Sequence, residues 1–337
     1  MNTVTAPPVA ASPSHLPEPH TGLIEARLTG IEDVARDTKL YSFARVEGGA
    51  LPAYKPGAHI DLHLPNGLLR QFSLVVPNSD PASYVVGVKR DENSRGGSRY
   101  IIDEMKVGDR IKISAPRNNF PLIENADHVL LVAGGIGITP IWCMTQQLIA
   151  LGRPWTLHYS CRSRADMAFL EALKALDPQS VHLHFDEEAG GKFVDLGAAI
   201  AAAPANSHFY CCGPNPMLKA FEAAAASRPR SNVHVEYFTP KDDAAATGTG
   251  GFWVELARSG EEYYIPAGKK VLEVLFDAGV DVDYSCELGI CGACETRVIS
   301  GTPIHHDSVL SEEEQATNEK VMICCCGCAT ERLVLDM

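Results

Sequence analysis

Apolar and polar residues alternate with a period of two through most of the first third of the chain. HIDLHL (59–64) is the clearest case, and LIEARLTGIEDVA, TKLYSFARVE, LLRQFSLVV, SYVVGVKR and DRIKISAP read as strands beside it. Alternation of this kind marks strands with one buried face. Turn signals separate them, Lys55-Pro56-Gly57 and Pro65-Asn66-Gly67 among others. Short strands at this spacing predict a small antiparallel barrel over 21–121, with one short helix near 98–105.

From Asp127 the period changes. HVLLVAGG is an apolar run that ends in glycines, and ITPIWCMTQQLIAL (138–151) has helical spacing. WTLHYSCR, VHLHFDE and HFYCCGPNPM follow as strands, with helices predicted over 166–176 and 216–227. Strands that alternate with helices predict an α/β domain with an open parallel sheet over 122–240, with ligands at the carboxyl ends of its strands. KDDAAATGTGG (241–251) has the composition of a flexible linker. The last segment, 252–337, opens with two alternating strands about Ser259-Gly260 and an amphipathic helix over 270–278. A chain of 337 residues is too long for one ordinary core, so this multi-domain division is expected on size as well.

Charge changes the picture at one end. The formal net charge is −13, and residues 252–337 hold 16 Asp and Glu against 6 Lys and Arg, a net of −10 that leaves −3 for everything before. Such a segment does not bind nucleic acid. It suits attraction to a basic protein surface. No apolar run reaches about 18 residues, so no membrane span is expected. Residues 1–20 carry five Pro and lack the basic start and apolar core of a signal peptide. They read as a disordered tail, and the protein is expected in the cytoplasm.

Most of the eleven cysteines crowd the last segment. Cys286, Cys291 and Cys294 stand in SCELGICGACETRV with gaps of four and two residues, and CCCGC follows at 324–328. This is the C-x4-C-x2-C spacing of a plant-type [2Fe–2S] cluster with a distant fourth thiolate. Gly289, Gly292 and Ala293 leave room for a loop whose amides point at the sulfurs. Cys324 is taken as the fourth ligand, with 29 residues between it and Cys294 and with Cys325, Cys326 and Cys328 beside it. A structural zinc site draws on two short-spaced pairs, and only 291/294 makes one upstream. An odd number of thiols without a secretory signal argues against disulfides. Cys143 and Cys161 read as buried free thiols, and His305-His306 as a loop surface rather than a metal site.

Several weaker signals precede the cysteines. Arg70-Gln71-Phe72-Ser73-Leu74 places a cation, an aromatic ring and a hydroxyl on a strand end. Arg95-Gly96-Gly97-Ser98 offers backbone donors and a hydroxyl where a helix begins, as a phosphate monoester requires. Gly134-Gly135-Ile136-Gly137-Ile138-Thr139-Pro140 and Cys212-Gly213-Pro214 are glycine turns at strand ends. Each alone is equally well a plain turn.

Their order, R-x-F-S, R-G-G-S, GGIGITP, CGPNPM, linker and C-x4-C-x2-C, resembles the phthalate dioxygenase reductase family, the reductase components of two-component Rieske oxygenases. The likeness runs from about Leu23 to Met337. It implies an FMN-binding barrel, an NADH-binding α/β domain and a β-grasp ferredoxin domain. It also implies that Arg70, Gln71, Phe72, Ser73, Leu74, Val88 and Lys89 line the flavin and that Gly96, Gly97 and Ser98 hold its phosphate. Gly134, Gly135, Gly137, Thr139, Cys212, Gly213 and Pro214 would hold the nucleotide. Phe238 would lie against the isoalloxazine, and Ser73, Thr139 and Cys212 would flank the hydride path.

Three departures from the family pattern stand out. Phe72 replaces the usual Tyr, CCCGC replaces a single Cys, and Arg162 and Arg164 follow the strand that carries Tyr159-Ser160-Cys161. The activity implied is transfer of hydride from NADH to FMN and of single electrons through the [2Fe–2S] cluster to a Rieske oxygenase component, by a monomer. A stand-alone flavin or quinone reductase, and a non-catalytic iron–sulfur carrier or sensor, are the alternatives.

Overall fold

A computed structural model describes residues 22–77, 82–91, 96–241 and 251–337. The expected tail, Arg95 and most of the expected linker lie outside them.

The first module carries β1 (Ile24–Ala35), β2 (Thr38–Arg45), β3 (His59–His63), β4 (Leu69–Ser73), β5 (Tyr84–Lys89) and β6 (Arg110–Ile113). They form one antiparallel sheet in the order β4-β3-β6-β1-β2-β5. It curls shut where Leu74 bridges Val86 and the Val75 amide donates to the Val85 carbonyl. Alternating residues such as Leu28, Phe43, Ile60, Leu62 and Val86 fill the barrel. Helix α1 (Gly97–Glu104) follows β5.

The second module is a parallel sheet in the order β11-β10-β7-β8-β9. Its elements are β7 (Val129–Gly134), α2 (Ile138–Ala150), β8 (Trp155–Cys161), α3 (Leu170–Lys174), β9 (Val181–Phe185), α4 (Leu196–Ala202), β10 (His208–Cys212), α5 (Asn215–Ala224) and β11 (Val233–Glu236). β7 is buried along its whole length, as a central parallel strand must be. The helix expected over 166–176 is cut to α3, because Met167 and Ala168 turn into the core and Phe169 takes a left-handed φ of 60. There Phe169 stacks on Trp142 with ring centroids 5.4 Å apart. Helix α4 (LGAAIAA) escaped the sequence pattern because alanine shows no clear face. Its start is fixed by Asp195, whose carboxylate accepts from the Ala198 amide at 2.9 Å.

The third module has β12 (Phe252–Leu256), β13 (Glu262–Ile265), α6 (Val271–Asp277), β14 (Glu295–Ser300), α7 (Glu312–Thr317), β16 (Lys320–Met322) and β18 (Arg332–Leu335), with the short pair β15 (Pro303–Ile304) and β17 (Gly327–Cys328). Its sheet runs β13-β12-β18-β14-β16, with β12 and β18 parallel. Parallel pairing of an early strand with the final one, under a single helix, is the β-grasp arrangement. No helix among the described residues is long and apolar enough to cross a membrane.

Candidate functional site

A cleft of about 490 Å³ opens where the barrel meets the carboxyl ends of the parallel sheet. The barrel contributes Arg70, Gln71, Phe72, Ser73 and Lys89, with Ser98 from the first turn of α1. The parallel-sheet module contributes Thr139, at the start of α2, with Glu236 at the end of β11 and Phe238 just past it. The third wall is Leu288, Ile290 and Cys291 of the cysteine loop. One cavity thus touches all three modules.

At one end the side chain of Arg70 crosses Gly97, where a Cβ would stand 2.5 Å from its Nε. The N-terminus of α1 has no side-chain cap and no acidic residue in its first turn. Helix N-terminal amides beside a guanidinium make a seat for an anion. Farther in, Ser73 Oγ donates to Glu236 Oε2 at 3.5 Å, and Cys212 Sγ donates to the same oxygen at 3.8 Å. Desolvation pushes the Glu236 pKa up to about 8, so its carboxyl is protonated at neutral pH. Burial, and then the neighbouring Glu236, raises the Cys212 thiol well above its ordinary range. His59 lines the same cleft with Nε2 buried and unpartnered, and burial lowers its pKa to about 4. A buried donor or acceptor left open toward a cavity is what a bound polar group satisfies.

The two glycine turns meet behind Thr139. Gly134 ends β7, Gly135–Gly137 form a 3-10 turn into α2, and a Cβ at Gly137 would stand 2.2 Å from the Cys212 carbonyl oxygen. Gly213 and Pro214 lead from β10 into α5. The turns are therefore one constellation at the carboxyl edge of the sheet, where nucleotides bind in such folds.

The cysteine loop is organised by its sulfurs. The amides of Leu288 and Ile290 donate to Cys286 Sγ at 3.3 and 3.5 Å, and the Cys286 amide donates to Cys291 Sγ at 3.4 Å. Gly289 and Gly292 carry positive φ of 70 and 74, which lets those amides turn inward. Cys286, Cys291, Cys294 and Cys324 are all buried. The Cys286 thiol contacts those of Cys291 and Cys324. Among the described residues no three His, Cys, Asp or Glu side chains converge as they would on one ion. Cys325 lies just outside, where a Cβ on Gly289 would meet its Sγ at 2.5 Å.

Several expected positions fall elsewhere than their motifs implied. Leu74 and Val88 point into the barrel core and do not line the cleft. The His305 side chain is buried with neither nitrogen hydrogen-bonded, 3.6 Å from Asp307, so it leaves the loop surface, whereas His306 is half-buried at the edge of a cleft. Arg164 is held by Glu188 at 2.6 and 2.8 Å, and Asp166 pairs with Arg36 from the barrel. Cys143 and Cys161 are buried free thiols, as expected. Glu236, His59, Ser285 and Asn119 were missed. Glu236 and His59 sit in ordinary strand patterns, and only tertiary contact shows their place.

An NAD-binding oxidoreductase with a 2Fe–2S module is the class of protein this arrangement defines. Residues 131–223 match the oxidoreductase NAD-binding domain family, and residues 254–329 match the 2Fe–2S iron–sulfur cluster binding domain family. The chain is 46% identical to the tetrachlorobenzoquinone reductase of Sphingobium chlorophenolicum, over 93% of this chain and 98% of that one. It is 37% identical to the phthalate dioxygenase reductase of Burkholderia cepacia, over 94% and 98%. The solved phthalate dioxygenase reductase, described as a modular structure for electron transfer from pyridine nucleotides to [2Fe–2S], aligns with a TM-score of 0.70 at 36% identity, over 94% of this chain and 98% of that one. The chain belongs to the phthalate dioxygenase reductase family.

Proposed function

We propose that the protein takes hydride from NADH onto FMN and hands single electrons through a [2Fe–2S] cluster to a Rieske-type oxygenase component. The observation that carries this reading is the single cleft bordered by Ser73, Thr139, Glu236 and Phe238 on one side and by Cys291 of the cysteine loop on the other. When bound there, a flavin supplies the conversion between two-electron and one-electron transfer. Arg70, Gly97 and Ser98 hold its phosphate, while Phe72 and Phe238 give it apolar faces. Thr139 and the Gly134–Gly137 turn place the nicotinamide, with Cys212, Gly213 and Pro214 closing the nucleotide side. Ser73 and the protonated Glu236 offer donors to the reacting edge and keep an ionised group away from it. Cys286, Cys291, Cys294 and Cys324 ligate the cluster.

The nicotinamide donor is NADH rather than NADPH. Glu188 occupies Arg164, and Arg162 alone of the pair lacks an ion-pair partner among the described residues. A preference for NADPH that Arg162→Ala reverses would show that this arginine reads a 2′-phosphate. We assign the chain to the cytoplasm as a monomer, with modules over 21–121, 122–240 and 252–337. A second reading, a quinone as acceptor, is favoured by the name of the tetrachlorobenzoquinone reductase. The test is an absorption spectrum followed by anaerobic NADH titration. Bands of both flavin and iron–sulfur cluster, bleached by NADH and restored by an oxygenase component, support the proposal. A colourless zinc protein overturns it, and restoration by a quinone alone moves it to the second reading.

A further inference from the structure

Residues 117–123 connect the barrel to the parallel sheet and are fixed to both. His59 and Arg117 exchange backbone hydrogen bonds at 2.8 and 3.0 Å, and the Arg117 guanidinium grips both oxygens of the buried Asp61 carboxylate at 2.8 Å. Asn118 donates to the carbonyls of Lys55 and Pro56. On the far side Phe120 packs edge-on against Tyr210, whose hydroxyl donates to the Pro121 carbonyl and accepts from the Ile123 amide. The connector has little freedom to drift relative to either module.

Asn119 sits in the middle of this brace and points out of it. Its Nδ2 donates to the carbonyl oxygen of Cys291 at 2.8 Å, and it lies so close to Gly292 that a Cβ there would stand 3.0 Å from Nδ2. Beside it Gln71, on the barrel strand β4, donates to the hydroxyl of buried Ser285, the residue before Cys286. Both contacts therefore fall on the cysteine loop, one on a cluster ligand and one next to another. A cleft of about 830 Å³, with Asn119 and Asp307 on its walls, separates the modules on one flank of this contact, and the cleft of about 490 Å³ lies on the other. Between two open clefts, these polar contacts, together with Ile290 packed against the parallel-sheet core, seat the cysteine loop.

We propose that Asn119 is a positioning residue that latches the cysteine loop against the flavin cleft, with the Gln71–Ser285 contact as its second point. It thereby sets the distance over which electrons pass between the two centres. This rests on the functional reading above. Passage of an electron falls steeply with distance, whereas hydride transfer needs only the barrel and the parallel sheet. Asn119 does not line the flavin cleft, so its loss leaves the hydride step intact.

Stopped-flow reduction of the holoprotein by NADH separates flavin bleaching from cluster bleaching. Asn119→Ala slows the second phase by about fivefold, the factor that goes with one ordinary hydrogen bond, and leaves the first unchanged. Asn119→Asp slows it further, because an isosteric oxygen then faces the Cys291 carbonyl; a residue that merely filled space would show no such order. Asn119→Ala combined with Ser285→Ala enlarges the radius of gyration in small-angle scattering, as the C-terminal module leaves its seat. Full flavin and cluster absorbance with both phases unchanged, or both slowed equally, overturns the latch alone. Wild-type protein without those bands overturns the functional reading beneath it.

Discussion

The cysteine loop draws three of its four buried thiols from the nine residues between Cys286 and Cys294, and its amides bond to those same sulfurs. The cleft beside it is assembled from β4, the start of α2 and the end of β11, so that Ser73 and Glu236, in contact, lie 163 residues apart. A site made by one short loop keeps its geometry as long as that loop is intact. A site shared between modules depends on every surface that sets their mutual position. Damage to the first should be all or none, and damage to the second graded.

The largest effect tests the first half of this contrast. Cys291→Ser or Cys324→Ser should abolish iron and labile sulfide while flavin stays bound, read by metal analysis and the visible spectrum. Cys325→Ser should keep the cluster. If Cys325→Ser loses iron and Cys324→Ser retains it, the fourth ligand is the next residue along.

Next in size is a change where the two glycine turns of the parallel-sheet module meet, at the floor of the shared cleft. In Gly137→Ala the new methyl meets the Cys212 carbonyl oxygen at 2.2 Å, a backbone atom that cannot swing aside. A cost of about 1–3 kcal/mol is expected, seen as a lower urea midpoint with weaker NADH binding and an undiminished cluster.

Acidity gives a smaller, graded probe of the cleft. Glu236 keeps its proton up to about pH 8 in the fold, against 4.5 in an ordinary carboxyl. The folded state therefore holds a proton that the unfolded chain releases, and stability falls as pH rises through that window. His59, His158 and His234 act oppositely, since burial lowers each to about 4 from 6.5 and stability falls as pH drops through that range. Between pH 6.5 and 8 the Glu236 slope stands clear of these three. In flavin-free protein, Glu236→Gln should remove a slope of at most about 1.4 kcal/mol per pH unit, measured by urea unfolding. An unchanged slope would mean that water reaches the carboxyl.

Salt is expected to give the mildest effect and bears on the partner. Charges on the acidic segment are screened over about 8 Å at physiological ionic strength, so cluster reoxidation by an oxygenase component should slow as salt rises. NADH reduction within the chain should change less. Equal shallow responses would leave the −10 of residues 252–337 as mere solvation. Leu288 and Ile290, half-buried apolar residues of the cluster loop, line the flavin cleft.

The same contrast explains what could be read in advance. The six barrel strands follow from period-two alternation, and the cysteine spacing is a local code for a local loop. Helix α4 lacks a pattern because alanine has no strong preference for inside or outside. Glu236 carries no mark in VHVEYF, because its raised pKa comes from desolvation by elements brought around it from elsewhere in the chain. Asn119 looked like any loop amide, and its bond to Cys291 crosses 172 positions of sequence. His305 was misjudged for the same reason, since its burial is a product of tertiary packing that HHD does not announce.

The place of β18 in its sheet has a consequence for how the third module is made. This strand lies between β12 and β14, and it is the last strand of the module to be synthesised. During vectorial synthesis Cys286, Cys291 and Cys294 emerge while the middle of their sheet is still missing. Leu333 and Leu335, both fully buried, arrive later and close the core. Until then, the thiols hang on a chain that cannot seat the fourth one. Closure of the sheet around the cysteine loop is thereby placed after Leu335 has left the ribosome.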